Sequence, residues 1–320
     1  MSKILLVKTS SMGDVIHALP AVTDIRTHFP DTRIDWMVEE GFAELPRLHP
    51  SVDQIIPVAL RRWRKQLLGP TTWREFSAFR KQLQSNSYDL ILDCQGLIKS
   101  ALLSLLAHGP RCGFDWRSAR EPLASLAADR AIVVDRNLHA VERNRRLAGL
   151  ALGYTPDFSH IDYGISAPES SFEWLPNQPH AVLLHATSRA DKEWPEGAWL
   201  ALADQLNQMG FCCVLPWGSP AEQARSKRLA AQMKCGVSPP RLNLSQTACL
   251  LEKAGIVIGV DTGLTHLAAA LKVPLVALYC ASDPGLTGVL SSGPFVNLGS
   301  MNGAPEVSEV INALSRVLPP

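Results

Sequence analysis

Little in this 320-residue chain suits a membrane span, a metal cluster or disorder. No apolar run reaches the roughly 18 residues that a spanning helix needs. The seven cysteines are odd in number and form no Cys-x-x-Cys pair. Most stand in apolar runs such as Phe211-Cys212-Cys213-Val214-Leu215, where buried, reduced thiols are expected. Charged residues make up only 19% and hydrophobic ones 46%, a balance that fits a globular protein with sizeable cores and not a disordered one. The run Ile4-Leu5-Leu6-Val7 is too short for a signal peptide and leads straight into a structured pattern, so a cytosolic location is expected. Net charge is only +1, but its distribution is uneven. Residues 1–150 hold 21 Lys/Arg against 16 Asp/Glu, and residues 151–320 hold 10 against 14. A basic first half suits an anionic partner.

What is present is strand-then-helix alternation, read twice. Ile4–Val7, Arg33–Glu39, Gln54–Val58, Leu90–Asp93 and Ala131–Val134 read as strands. Val15 to about His28, Leu97–Leu106 and Ala140–Leu152 read as helices. A proline-marked stretch at about 155–179 interrupts the pattern. It then restarts, with strands at Ala181–His185, Phe211–Leu215, Ile256–Val260 and Leu275–Tyr279. Helices are expected at Gly197–Met209, Ala221–Met233, Leu264–Leu271 and about 304–318. Such alternation predicts parallel sheets covered on both faces. The expected architecture is α/β, with two Rossmann-like domains at 1–165 and 166–320 facing a cleft. Whether the last helix returns to the first domain stays open.

In open α/β sheets, ligands bind beyond the carboxyl ends of the strands, so the loops there carry the candidates. Lys8-Thr9-Ser10-Ser11-Met12-Gly13-Asp14 follows the first strand. It lacks the glycine fingerprint of dinucleotide sites and the Gly-Lys-Ser/Thr of a P-loop. Asp14 stands at a helix start, where it is either an N-cap or a catalytic base; hydrogen bonds to backbone amides would lower its pKa and weaken it as a base. In the second half, Asp261-Thr262-Gly263-Leu264-Thr265-His266 follows a buried strand and opens a helix, whose amides can cradle a diphosphate. Either a ligand site or a plain cap with a packed histidine fits. Thr187, Ser188 and Lys192 follow another strand, and Lys192 could neutralise a departing phosphate. Glu222, after a third, could accept hydrogen bonds from ribose hydroxyls or could simply be a first-turn acid.

Taken with Val38–Phe42, Arg61-Arg62-Trp63-Arg64-Lys65, Asp93-x-Gln95-Gly96-Leu97, Ala119–Ser125, His139–Arg143 and His185-Ala186-Thr187 through Trp194-Pro195, these segments resemble the ADP-heptose lipopolysaccharide heptosyltransferases of glycosyltransferase family 9. The resemblance covers nearly the whole chain. It implies a GT-B fold, with the acceptor in the first domain and the nucleotide sugar in the second. It also implies an inverting transfer with no metal and no cofactor, and the absence of a clear Asp-x-Asp motif agrees. Asp14 would be the general base. Thr187, Ser188, Lys192, Thr262 and Gly263 would contact phosphate, Glu222 ribose, Asp261 the donor sugar, and His266 the same ligand. Ser188 stands where the family has a second threonine, and keeps the hydroxyl.

The implied acceptor, Kdo on lipid A, is anionic. Arg61, Arg62, Arg64 and Lys65, joined by Lys99 and Arg120, form the cationic patch expected to meet it beside Ser10 and Gly13. Without the resemblance, a solvated basic loop or a nucleic-acid patch with Trp63 stacking fits equally; with it, no nucleic acid is expected. The expected reaction moves L-glycero-D-manno-heptose from ADP-heptose to Kdo, peripherally at the cytoplasmic face of the anionic inner membrane. A later core transferase such as heptosyltransferase II, a nucleotide-sugar epimerase, and a non-catalytic nucleotide-sugar or lipopolysaccharide-binding protein are the rivals.

Overall fold

Two six-stranded, wholly parallel sheets organise the computed structural model, which describes residues 1–67, 69–301 and 303–318. The chain divides into two units, Met1–Gly164 and Ile165–Pro320. In the first, β1 (Lys3–Val7), β2 (Arg33–Glu39), β3 (Gln54–Val58), β4 (Leu90–Asp93), β5 (Arg111–Phe114) and β6 (Arg130–Ile132) are ordered β3-β2-β1-β4-β5-β6. In the second, β7 (His180–Leu184), β8 (Cys212–Val214), β9 (Gly236–Val237), β10 (Ile256–Val260), β11 (Leu275–Tyr279) and β12 (Phe295–Gly299) are ordered β12-β11-β10-β7-β8-β9. Renumbered within its unit, the second sheet repeats the first. Both are doubly wound, and in each the order reverses beside the first strand: between β1 and β4, and between β7 and β10. Those reversals are where open α/β sheets leave a crevice for a ligand.

Covering both faces explains the composition of the strands. Every residue of β7, β10 and β11 is buried, as unbroken Val/Ile/Leu-rich runs require in a parallel sheet. The first core gathers Leu5, Val7, Met37, Ile56, Val58, Phe79 and Ile91. The second gathers Leu183, Trp194, Trp199, Ile258, Val276 and Leu278. The last helix, Val307–Val317, buries Val310, Ala313, Leu314 and Val317 in that second core, on its own unit's sheet.

Three local differences have physical causes. The expected helix over 15–28 is two, Met12–Ile16 and Leu19–His28; Pro20 lacks an N–H and suits only a first turn, so the chain starts a new helix there. β5, β9 and β12 carry no long apolar run to announce them, and β9 and β12 are sheet edges. Cys212 and Cys235, expected to be reduced, form a disulfide. β8 and β9 pair side by side, which brings the two α-carbons to 4.9 Å, a proximity that cysteine spacing does not reveal.

Candidate functional site

The first reversal point is built from the loops after β1 and β4. Lys8, Thr9 and Ser10 are buried. Gln95 Oε1 accepts from Thr9 N at 2.9 Å and Ser10 N at 3.1 Å, and Lys99 Nζ donates to Ser10 Oγ at 2.7 Å. One loop is therefore laced to the other. Lys8 Nζ donates to the Cys94 carbonyl at 2.7 Å. Asp93 binds the amides of Gln95 and Gly96 and the Ser100 hydroxyl, while burial pushes its carboxyl upward.

Of the two roles expected of Asp14, it does not itself take that of N-cap. The N-cap is Ser11, and Asp14 lies in the first turn of the helix, reaching back to it. Its Oδ2 accepts from Ser11 N at 2.8 Å and Ser11 Oγ at 2.9 Å. Among the described residues no hydrogen bond reaches Oδ1, so one oxygen holds the helix start and the other is unengaged. Burial pushes this carboxyl up, but Lys8, the two Ser11 bonds and Arg120 outweigh it and hold the group below the usual carboxylate range. Gly13 adjoins it in the same turn.

The cations divide into two kinds. Lys99 faces Glu39, Arg61, Arg64 and Asp14; burial and the two arginines pull its pKa down. Arg61 lies over the Phe42 ring at 5.0 Å, and its amide donates to Glu39 Oε1 at 2.9 Å. Arg64 and Lys65 are exposed. Arg62, expected with them, is committed elsewhere: it forks onto Glu40 at 2.9 and 3.0 Å and onto Glu75 at 2.7 and 2.9 Å. Trp63, the conceivable base-stacking residue, is buried against Phe76 and Phe79 and donates to Glu75. An open depression of about 320 Å³ is lined by Arg61, Arg62, Lys65 and Phe42, among others, with Arg62 there already paired to Glu40 and Glu75.

The second reversal point centres on Asp261. Thr187 Oγ1, from the loop after β7, donates to the Asp261 carbonyl at 3.1 Å. Asp261 Oδ2 takes Lys192 Nζ at 2.5 Å and Ser282 Oγ at 2.7 Å, and His266 Nε2 stands 3.8 Å from Oδ1. Burial pushes the Asp261 carboxyl up, but His266, Lys192 and Ser282 overcome this and hold it well below the usual range. Thr262 is the N-cap of helix Gly263–Ala270, so the first amides of that helix, next to Asp261 in the chain, have no intrahelical partner. Behind them, a Cβ at Gly259 would meet Thr265 Oγ1 at 2.3 Å. Ser188 is exposed.

Glu222 repeats the Asp14 arrangement after β8. Its Oε2 accepts from Gly218 N at 2.7 Å and Ser219 N at 3.3 Å, in a capping box. One turn further, Arg225 grips the Lys192 loop: NH2 donates to the Trp194 carbonyl at 2.9 Å, NH1 pairs with Glu193 at 2.5 Å, and Nε lies 3.4 Å from Glu196. The helix that carries Glu222 is thereby tied to the loop that carries Lys192. Among the described residues, no three His, Cys, Asp or Glu gather in a metal-holding group.

The glycosyltransferase family 9 (heptosyltransferase) model matches residues 76–312. The chain belongs to that family. A curated relative, lipopolysaccharide heptosyltransferase 1 of Salmonella typhimurium, is 47% identical over 89% of this chain and 90% of its own length. The solved structure of E. coli heptosyltransferase WaaC with ADP is 43% identical, covers 98% of this chain and 97% of its own, and superposes with a TM-score of 0.87. The same E. coli enzyme with ADP-2-deoxy-2-fluoro heptose gives 42% identity, 98% and 97% coverage, and a TM-score of 0.85. The protein is thus a family 9 glycosyltransferase of the GT-B class, with two Rossmann-like domains.

Lys8 and Gln95 stood in sequence motifs without an assigned role, and Ser282 and Arg225 were not singled out from the sequence. Lys8 had a signal, a charge at the carboxyl end of a buried strand. Arg225 had none, since a helix arginine three residues after a glutamate reads as solvated surface.

Proposed function

We propose that the protein transfers L-glycero-D-manno-heptose from ADP-heptose to the Kdo of Kdo-lipid A, with inversion and without a metal, in building the lipopolysaccharide inner core. The first unit takes the acceptor and the second the nucleotide sugar. One observation carries this: among the described residues Asp14, in the field of Lys8, Lys99 and Arg120, keeps Oδ1 unbonded, in a chain 42% identical to an enzyme solved with an ADP-heptose analogue.

Asp14 Oδ1 takes the proton of the acceptor hydroxyl, and the freed oxygen attacks the anomeric carbon. The bond from that carbon to the diphosphate breaks, and negative charge collects on the leaving phosphate. Lys192 has three N–H groups, so its bond to Asp261 leaves two for the phosphate. The Thr262 and Gly263 amides, at the helix start next to Asp261, and the Ser188 hydroxyl, on the loop of Lys192, join it on the diphosphate. Glu222 uses one oxygen for its helix and has the other for ribose. Arg61, Arg64, Lys65, Lys99 and Arg120 meet the acceptor's carboxylates and phosphates, and the protein works peripherally at the cytoplasmic face of the membrane that holds the acceptor.

A transfer assay with ADP-heptose and Kdo-lipid A in chelator tests the proposal. Product with an inverted anomeric centre supports it. Product only from an already heptosylated acceptor points to a later core transferase, and loss of product in chelator contradicts the metal-free route.

A further inference from the structure

The helix that carries Lys99, Ile98–Ser104, has a second face that the acceptor chemistry does not use. Ile98 is 39% exposed, Leu102 60% and Leu105, the C-cap, 48%. Their spacing, i, i+4 and i+7, puts all three on one side. The opposite side is buried: Ser100, Ala101, Leu103 and Ser104 pack inward. The short helix Pro122–Ala127 packs along this one, and Glu121 Oε2 at its start accepts from Ile98 N at 2.7 Å. It adds Leu123 at 55% and Leu126 at 75% exposure, three residues apart, over a buried Ala124. Five aliphatic side chains thus crowd two adjoining short elements, where a soluble surface ordinarily scatters them singly.

We infer that this aliphatic face is a lipid-bilayer docking surface, which enters the acyl region of an anionic membrane while the adjoining cations hold the acceptor's head. The inference rests on the proposed acceptor. What selects a bilayer over a second protein is the charge alongside. Lys99 lies between Ile98 and Leu102 in the chain and reaches back to Ser10. Arg120 lies at the start of the second element and acts on Asp14. An amphiphile with an anionic sugar and buried acyl chains matches both sides of these two elements at once. Basic residues beside apolar ones are the combination that interfacial segments use.

The test is co-sedimentation of the full chain with vesicles of phosphatidylethanolamine and phosphatidylglycerol, for the wild type and for Leu102→Glu with Leu126→Glu. Both positions are exposed, and unchanged thermal melting checks the fold. The expected result is a drop of at least about tenfold in vesicle partitioning. In the transfer assay, KM for vesicle-borne Kdo-lipid A should rise, while turnover of a de-acylated Kdo acceptor stays at the wild-type level. Undiminished vesicle binding by the variant overturns the inference. So does a wild-type dimer that the substitutions convert to monomer with vesicle binding unchanged, since the face would then be a self-association surface. If neither protein transfers heptose to any acceptor, the functional proposal fails, and vesicle binding still decides the docking surface separately.

Discussion

Lys192 Nζ lies 2.5 Å from Asp261 Oδ2, so the cation beside the helix start in the second unit is paired with a part-buried carboxylate. The pair has consequences of opposite sign. Lys192→Ala removes charge from the leaving group and should cut kcat by about 10²–10³-fold. Asp261→Asn removes a negative charge beside the diphosphate and releases the ammonium, so ADP should bind at least as tightly as to the wild type by calorimetry. Weaker ADP binding in that variant would mean that the carboxylate itself contacts the ligand.

Arg225 should behave as a positioning residue. It touches Glu193, Glu196 and the Trp194 carbonyl, and its removal leaves two carboxylates near one another. Arg225→Met should raise the donor KM by about tenfold or more, as loss of a partly buried ion pair costs several kcal/mol. The acceptor KM should not move. Arg225→Lys should recover only part of the loss, because an ammonium cannot reproduce the fork. Equal effects on both substrates would show general destabilisation.

The block Arg61–Lys65 should not respond as a unit. Charge reversal at Arg61 or Arg64 should raise the acceptor KM and leave donor affinity unchanged. Arg62→Ala should leave the acceptor KM near the wild-type value, because Glu40 and Glu75 already neutralise that guanidinium. Steady-state kinetics on the three single variants separates these outcomes.

Acid should unfold the protein before it disables the base. Burial holds His49 and His185 neutral, with pKa values pushed down to about 4 from the ordinary 6.5. The unfolded chain takes up these protons from pH 6.5 downward and the folded chain does not. Stability is therefore full above pH 6.5 and falls as pH drops toward 4, by about 3 kcal/mol for each histidine. Asp14 titrates below its ordinary 3.8, so it stays ionised across that window and its own contribution is lost only at lower pH. The urea midpoint should fall between pH 7 and 4.5, and should fall less in His185→Gln.

Both halves of the fold were legible because buried parallel strands are unbroken apolar runs, as in Ile256–Val260, and because Gly210, at φ +88°, marks a helix end. The site was legible in position but not in bonding. Asp14, Glu222 and Asp261 all stand where strand–loop–helix logic puts a ligand. Yet whether a first-turn acid caps its helix or serves a ligand depends on where each of its oxygens points. Arg62 and Arg64 look alike in the chain, but only Arg62 reaches two glutamates, one of them 13 residues away. Pairing between sheet neighbours likewise hid the Cys212–Cys235 link.

The central claim is that Asp14 acts through its chemistry and not only through its cap, and Asp14→Asn tests it most directly. The amide keeps an oxygen for Ser11 N–H and loses only the charge, so melting should fall less than in Asp14→Ala, which should lose about 1 kcal/mol, or roughly 2–4 °C. With saturating ADP-heptose and Kdo-lipid A, single-turnover transfer by Asp14→Asn should fall at least about 10²-fold, with ADP affinity unchanged. Transfer at the wild-type rate in that variant would contradict the account and leave Asp14 as a helix cap.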